Sequence, residues 1–215
     1  MWVKKHAPRT FDDVVGNPEI VQRFVTMART RYVQHMILCG ASGVGKSSLV
    51  EMITREMLGD HVRTGTLVFQ SADDTGNQAV RDKIHQFVPK KLHATGTPKF
   101  VVFKQADRLS DGVQQIMRRL MEQHYHHAVF IFLCRDLTSL LETLQSRCHV
   151  YRFRPVTVDA QVQRLRTIAS AEHVVTHNDS DVPYERIAQM TQGDVRACVN
   201  YFQATCCALQ PDENG

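Results

Sequence analysis

The sequence has no apolar run long enough to span a bilayer, and no apolar segment follows its opening Met1-Trp2-Val3-Lys4-Lys5-His6. Neither a membrane partner nor a secretory leader is expected. It also lacks any C-x-x-C pair. The six cysteines stand at 39, 134, 148, 198, 206 and 207, several inside apolar runs. That pattern predicts reduced core thiols of an intracellular protein, not a disulfide framework. His124, His126 and His127 have no companion Cys/His cluster to complete a zinc site. Repeats and low-complexity segments are absent too. The net charge of +4 permits an acidic partner such as nucleic acid without requiring one. What is present is the composition of a soluble globular protein: 215 residues, 43% hydrophobic and 22% charged. That is enough for one core, or for one larger and one smaller domain.

Short apolar runs alternate with helix-like stretches. Met36–Cys39, Thr66–Phe69, Phe100–Phe103, Val129–Cys134 and Val150–Phe153 read as buried strands. Ser47–Leu58, Gln78–Val88, Asp111–His124 and Thr138–Gln145 read as helices between them. Continuous apolar strands alternating with helices predict an α/β fold with a parallel sheet covered on both faces. After Pro155 only helices are expected, over Asp159–Ala171, Pro183–Thr191 and Asp194–Leu209. The change in character places a boundary at 154/155, giving an α/β domain over 1–154, a small all-α lid over 155–209 and a tail over 210–215.

Between the first strand and its helix lies Gly40-Ala41-Ser42-Gly43-Val44-Gly45-Lys46-Ser47, a full G-x-x-x-x-G-K-[ST] phosphate loop in the strand–turn–helix context it requires. Glycines let backbone N–H groups turn inward around a phosphate, and the helix N-terminus adds its positive dipole end. Lys46 would reach the β- and γ-oxygens, and Ser47 would offer its hydroxyl to Mg²⁺.

Other motifs extend the picture in collinear order. They are Trp2-Val3-Lys4-Lys5 with Pro8-Arg9-Thr10-Phe11-Asp12-Asp13-Val14-Val15-Gly16-Asn17, then Ser71-Ala72-Asp73-Asp74 before Gly76, with Val80-Arg81 after it. Asp111-Gly112-Val113-Gln114-Gln115 running to Arg118-Arg119, Ser146-Arg147-Cys148 and Gly193-Asp194-Val195-Arg196 follow. Together they resemble the replication factor C small subunits, clamp-loader members of the AAA+ class, over about residues 2–207. The resemblance implies a five-stranded P-loop domain followed by a helical lid and then a collar domain, which is expected to be absent from this chain. It implies a hetero-pentameric ring of loader subunits with ATP between neighbours, a sliding clamp and primer–template DNA as partners, and location in the nucleus. By the same resemblance, Val3, Val15, the loop residues 40–47, Ser48, Arg135 and Arg196 would surround this chain's own ATP. Arg147 would act as an arginine finger in a neighbour's site. Arg81 and Lys83, with Lys90 and Lys91 nearby, would track DNA phosphates.

The sequence departs from the family where hydrolysis is decided. Lys104-Gln105-Ala106-Asp107 stands where the family has Asp-Glu-Ala-Asp. Lys104 replaces the carboxylate that helps hold Mg²⁺. A cation about 5 Å from a divalent ion is repelled by several kcal/mol even at an effective dielectric near 20. Either Mg²⁺ binds weakly or the ammonium pairs with phosphate in its stead. Gln105 can hydrogen-bond a water but cannot accept its proton. Arg135 replaces an asparagine sensor, His6-Ala7-Pro8 replaces Tyr-Arg-Pro, and Thr75 replaces a basic residue. The expectation is a subunit that binds ATP and hydrolyses it slowly or not at all. Two alternatives are an active ATPase recruiting Asp107 or Asp73, and a non-enzymatic DNA-binding subunit.

Overall fold

The apolar runs pair into one five-stranded sheet. Its strands are β1 (Met36–Cys39), β2 (Thr66–Phe69), β3 (Lys99–Lys104), β4 (Ala128–Cys134) and β5 (His149–Arg152). They are all parallel and lie in the order β2-β3-β4-β1-β5. The computed structural model describes residues 1–70, 77–89, 97–174 and 183–209. The segment holding Asp73, Thr75 and Gly76, the residues Lys90 and Lys91, and the tail 210–215 lie outside the described residues. The helices are α1 (Trp2–Lys5), α2 (Pro18–Thr30), α3 (Lys46–Leu58), α4 (Val62–Gly65), α5 (Asn77–Phe87), α6 (Asp111–Gln123), α7 (Glu142–Gln145), α8 (Val158–Ala171), α9 (Tyr184–Met190) and α10 (Val195–Leu209).

Every residue of β4 is buried, so the strand needs apolar side chains on both faces. The two-residue period then sorts the core. Ile37, Val101, Phe103, Phe130 and Phe132 face α5 and α6 with Val80, Ile84, Val113 and Met117. Leu38, Phe100, Val102, Val129 and Ile131 face α2 and α3 with Phe24, Leu49 and Ile53. On the first side Phe69, Phe103 and Phe132 stack across neighbouring strands, with ring centroids 4.6 and 5.2 Å apart. A third cluster joins α8, α9 and α10 through Leu165, Ile168, Ile187, Cys198 and Phe202. Trp2 and Val3 pack on this cluster, with the Trp2 ring 5.4 Å from Phe202. The N-terminal segment is pinned to the end of the sheet as well. Asn17 donates through Nδ2 to the Arg154 carbonyl at 3.0 Å and accepts the Arg154 N–H through Oδ1 at 2.8 Å.

Two elements differ most from the sequence expectation, and the short helices α1 and α4 were not expected either. The stretch 138–145 is not one helix. It splits into a 3₁₀ turn at Leu137–Ser139 and the short α7. Gln114 of α6 separates the two halves, accepting from Leu141 N–H at 2.8 Å and donating to the Ser139 carbonyl at 3.1 Å. The helix α2, with Pro18 in its first turn and Ile20 and Phe24 on its buried face, had no counterpart in the sequence reading.

One buried group makes stability depend on pH. His35 is 7% exposed, and its Nδ1 accepts the Phe130 N–H at 3.2 Å. The ring proton therefore sits on Nε2, a buried atom with no hydrogen-bond partner among the described residues. Burial pushes the pKa from 6.5 down to about 4. The unfolded chain takes up this proton below about 6.5 and the folded chain only near 4. Stability is thus full above pH 6.5 and declines as pH falls towards 4. At pH 5 the loss from His35 alone is about 2 kcal/mol. Urea unfolding at pH 7 and pH 5 should show that extra loss in the wild type relative to His35→Leu. Equal declines in the two proteins would refute the assignment.

Candidate functional site: a nucleotide cleft at the sheet's C-terminal edge

The C-terminal ends of β1, β3 and β4 open into a cleft of about 550 Å³. In parallel sheets this end gathers ligands, because loops and helix N-termini converge there. The N-terminal segment, the phosphate loop, α8 and α10 supply the remaining walls. Of the residues the sequence singles out, Val3, Val15, Ser42, Gly43, Val44, Gly45, Lys46, Ser47, Ser48, Lys104, Gln105, Arg135 and Arg196 all line it. Gly40 and Ala41 form the first turn of the loop, and their carbonyls accept the Lys46 ammonium at 2.6 Å each. Gly43 and Gly45 have φ of +67° and +98°, a region that disfavours side chains. A Cβ on Gly43 would also overlap the Asp194 carboxylate, which comes from the start of α10. Asp194 in turn accepts the Ala197 N–H at 2.9 Å, capping α10, so the start of that helix sits directly on the phosphate loop.

The cleft is cationic. Lys46, Lys104, Arg135, Arg164 and Arg196 face Asp13, Glu51 and Asp107 across it, an excess of two positive charges. Burial holds the Lys46 ammonium below the ordinary lysine range. It is a partly desolvated cation satisfied only by carbonyls, the state in which an anion binds best. Arg196 is exposed in the first turn of α10 and points the lid's charge at the same space.

Lys104 ends β3, and its Nζ lies 3.3 Å from Glu51 Oε1 on α3. With side chains 32% and 62% exposed, such a pair is worth less than about 1 kcal/mol. A polyphosphate can therefore compete for the ammonium. Gln105 follows in left-handed backbone, with φ +61°, unusual for a side-chain-bearing residue and typical of functional turns. Asp107 accepts the Arg135 N–H at 3.3 Å, placing one carboxylate on the cleft wall beside the replaced pair. Ser47 would offer a hydroxyl to a metal ion, but an ammonium stands at the end of β3 where a metal-holding carboxylate would be expected. The donor set fits a nucleotide and fits a divalent cation poorly.

Three charged lining residues were not among the site residues read from the sequence. Glu51 lies four positions after Ser47, one helical turn on, so it shares the cleft face of α3. That spacing was a usable signal. Asp13 is held below the ordinary carboxylate range chiefly by the Thr10 and Arg9 backbone N–H groups. Arg164 comes from the middle of α8, where no motif marks it, and donates to the His6 carbonyl at 2.7 Å. It ties the N-terminal segment over the cleft. Arg164→Ala should weaken binding of a fluorescent ATP analogue about tenfold, the lower range for losing a charged hydrogen bond. Unchanged affinity in a direct titration would exclude it from the site.

The remaining predicted residues lie elsewhere. Arg147 is outside the cleft, 35% exposed, and gripped by Glu122 of α6 through Nη2 at 2.6 Å and Nε at 3.1 Å. Its Nη1 donates to the Thr143 carbonyl at 2.8 Å. Arg81 and Lys83 are exposed on α5, and Lys83 Nζ stands 5.8 Å over the Phe69 ring. Two residues apart on a helix, they do not share a face. All six cysteines are free thiols.

Comparison with known proteins decides the ancestry. A family profile described as "DNA polymerase III, delta subunit" matches residues 66–157. Replication factor C subunit 4 of Saccharomyces cerevisiae is 35% identical over 205 residues, covering 95% of this chain and 62% of that protein. Replication factor C small subunit 2 of Pyrobaculum islandicum is 31% identical over 202 residues, covering 94% of this chain and 62% of that protein. This chain is a homologue of the replication factor C small subunits. It spans 62% of the length of these two replication factor C relatives. A RuvB structure from Thermotoga maritima superposes with a TM-score of 0.73 at 15% identity, over 92% of this chain and 64% of that one. The AAA+ fold is thus common to replication factor C homologues and to RuvB. No helix among the described residues is long and apolar enough to cross a membrane.

Proposed function

We propose that this chain is a subunit of a DNA sliding-clamp loader that holds ATP in the cleft and hydrolyses it slowly or not at all. The observation that carries the reading is the Lys104–Glu51 ion pair at the end of β3, beside an intact phosphate loop. Lys46, Ser42–Ser48 and Arg196 would hold the phosphates, Arg135 would contribute a second cation, and Val3 and Val15 would flank the base. ATP bound there supplies the ordered state of the subunit; turnover is not required of this site. No step is assigned to Mg²⁺. Residues 1–154 act as the nucleotide-binding domain and 155–209 as the lid that closes on the phosphate loop through Arg196. Arg147, released from Glu122, would serve the neighbouring subunit's nucleotide. The remaining loader subunits, the clamp and primer–template DNA are the partners, with Arg81 and Lys83 offering sequence-independent phosphate contacts. In a eukaryotic cell the site of action would be the nucleus.

The test titrates the purified chain with a fluorescent ATP analogue, with and without Mg²⁺, while phosphate release is followed in the same samples. Tight binding that is nearly indifferent to Mg²⁺, without turnover, is the expected result. Magnesium-dependent binding with clear turnover would overturn it. That outcome would favour a working ATPase, for which Asp107 on the cleft wall is the available carboxylate. Asp107→Asn would then abolish the activity.

A further inference from the structure

The pairing of β1 with β4 sets Cys39 directly opposite Cys134. Opposed residues of neighbouring strands lie close to the strand spacing of about 4.7–4.9 Å, inside the Cα separation of about 4.4–6.8 Å that a disulfide spans. Both side chains fall on the same face of the sheet, Cys134 buried and Cys39 half-buried against it. Each thiol donates to backbone of the other strand's segment, Cys39 Sγ to the Arg135 carbonyl at 3.3 Å and Cys134 Sγ to the Leu38 carbonyl at 3.9 Å. The pair also roots the phosphate loop. Cys39 immediately precedes Gly40, and the Gly40 N–H donates to the Cys134 carbonyl at 3.2 Å. Cys134 lines the cleft itself and immediately precedes Arg135.

We propose that Cys39 and Cys134 are a redox site: a hydroperoxide such as hydrogen peroxide joins them in a reversible disulfide that loosens the phosphate loop's hold on nucleotide. This rests on the reading of the cleft as a nucleotide site. The half-buried Cys39 attacks first. Its thiolate takes one peroxide oxygen, the O–O bond breaks, and hydroxide leaves as water once protonated, giving a sulfenic acid. The Cys134 thiolate then attacks the Cys39 sulfur, the S–O bond breaks, and the second hydroxide leaves as water with the Cys134 proton. Two thiols lose two electrons and one peroxide becomes two waters. Burial pushes the Cys134 thiol above its ordinary range, so its thiolate is scarce at neutral pH. Prealignment compensates, since well-oriented intramolecular attack reaches effective molarities of about 10⁵–10⁸ M. Forming the bond removes both thiol hydrogen bonds and changes the spacing at the Gly40–Cys134 junction. By linkage, nucleotide must oppose the disulfide by the same factor that the disulfide opposes nucleotide.

The test treats the reduced 215-residue chain with hydrogen peroxide and maps its peptides by mass spectrometry, alongside Cys39→Ser, Cys134→Ser and Cys207→Ser. A Cys39–Cys134 cross-linked peptide is expected in the wild type and in Cys207→Ser, and in neither of the other two. A thiol reductant should remove it. Affinity for the fluorescent ATP analogue should fall at least tenfold on oxidation, recover on reduction, and stay constant in Cys39→Ser. Saturating analogue should slow cross-linking of the wild type. Oxidation confined to Cys207, or sulfinic acid at Cys39 without a cross-link, overturns the proposal even if a serine variant fails to fold. A cross-link with unchanged affinity overturns the gating. If the reduced chain binds no nucleotide, the nucleotide reading fails on its own. The peptide map and amide exchange over Gly40–Gly45 then still judge the disulfide.

Discussion

Replacing Lys104 by Asp and Gln105 by Glu in one protein should raise phosphate release about 100-fold and make nucleotide binding magnesium-dependent. The substitution places two carboxylates at the end of β3, beside the Ser47 hydroxyl. It also removes the ammonium that pairs with Glu51 at 3.3 Å. A positioned base contributes about 10²–10⁴ in rate, and the lower end of that range applies to a chain without a neighbour's arginine. Phosphate release and analogue affinity, each measured across a Mg²⁺ series, check the expectation. A double variant as inert as the wild type would show that the deficit lies elsewhere, Arg135 being the next difference on the cleft wall. Lys104→Asp alone should restore the magnesium dependence without the rate, because Gln105 still cannot take a proton.

The opposite expectation holds for Lys46→Ala. Loss of one charge-assisted contact to phosphate removes about 1.5–3 kcal/mol, or about 10–150-fold in affinity. The larger figure is expected, because burial already holds the Lys46 ammonium below the ordinary lysine range. Equilibrium titration with the ATP analogue, with a thermal melt to confirm that the variant is folded, decides it. Wild-type affinity in a folded Lys46→Ala protein would mean that the analogue binds outside the phosphate loop. Lys46 bonds only to the loop's own carbonyls, so its removal should leave stability nearly unchanged.

The sheet was legible because its central strands β1, β3 and β4 bury both faces and so stand out as apolar runs. β1 and β2 keep their predicted bounds, β3 extends by one residue at each end and β4 by one residue at its start. The fifth begins and ends one residue early because Phe153 leaves the strand pairing while its N–H still donates to the Cys39 carbonyl at 2.8 Å. The phosphate loop was legible because glycine spacing encodes backbone shape directly. Other features depend on partners distant in sequence. Nothing local announces that Gln114 will interrupt the helix expected over 138–145, or that Glu122 will grip Arg147 from 25 positions away. Lys104 was readable as a charge in the wrong place. Its pairing with Glu51 was not, because the contact exists only when the end of β3 meets the cleft face of α3.

The chain carries a single tryptophan, and it sits where the N-terminal helix meets the lid, 5.4 Å from Phe202. Its backbone N–H donates to Gln203 of α10 at 2.9 Å. Excited at the red edge of the aromatic band, the protein therefore has one emitter, packed against the helix that carries Arg196. Any rotation of α10 against the N-terminal segment alters the polarity around that indole and moves its emission maximum. If nucleotide shifts α10 against the N-terminal segment, the change can be followed optically in unlabelled protein after rapid mixing.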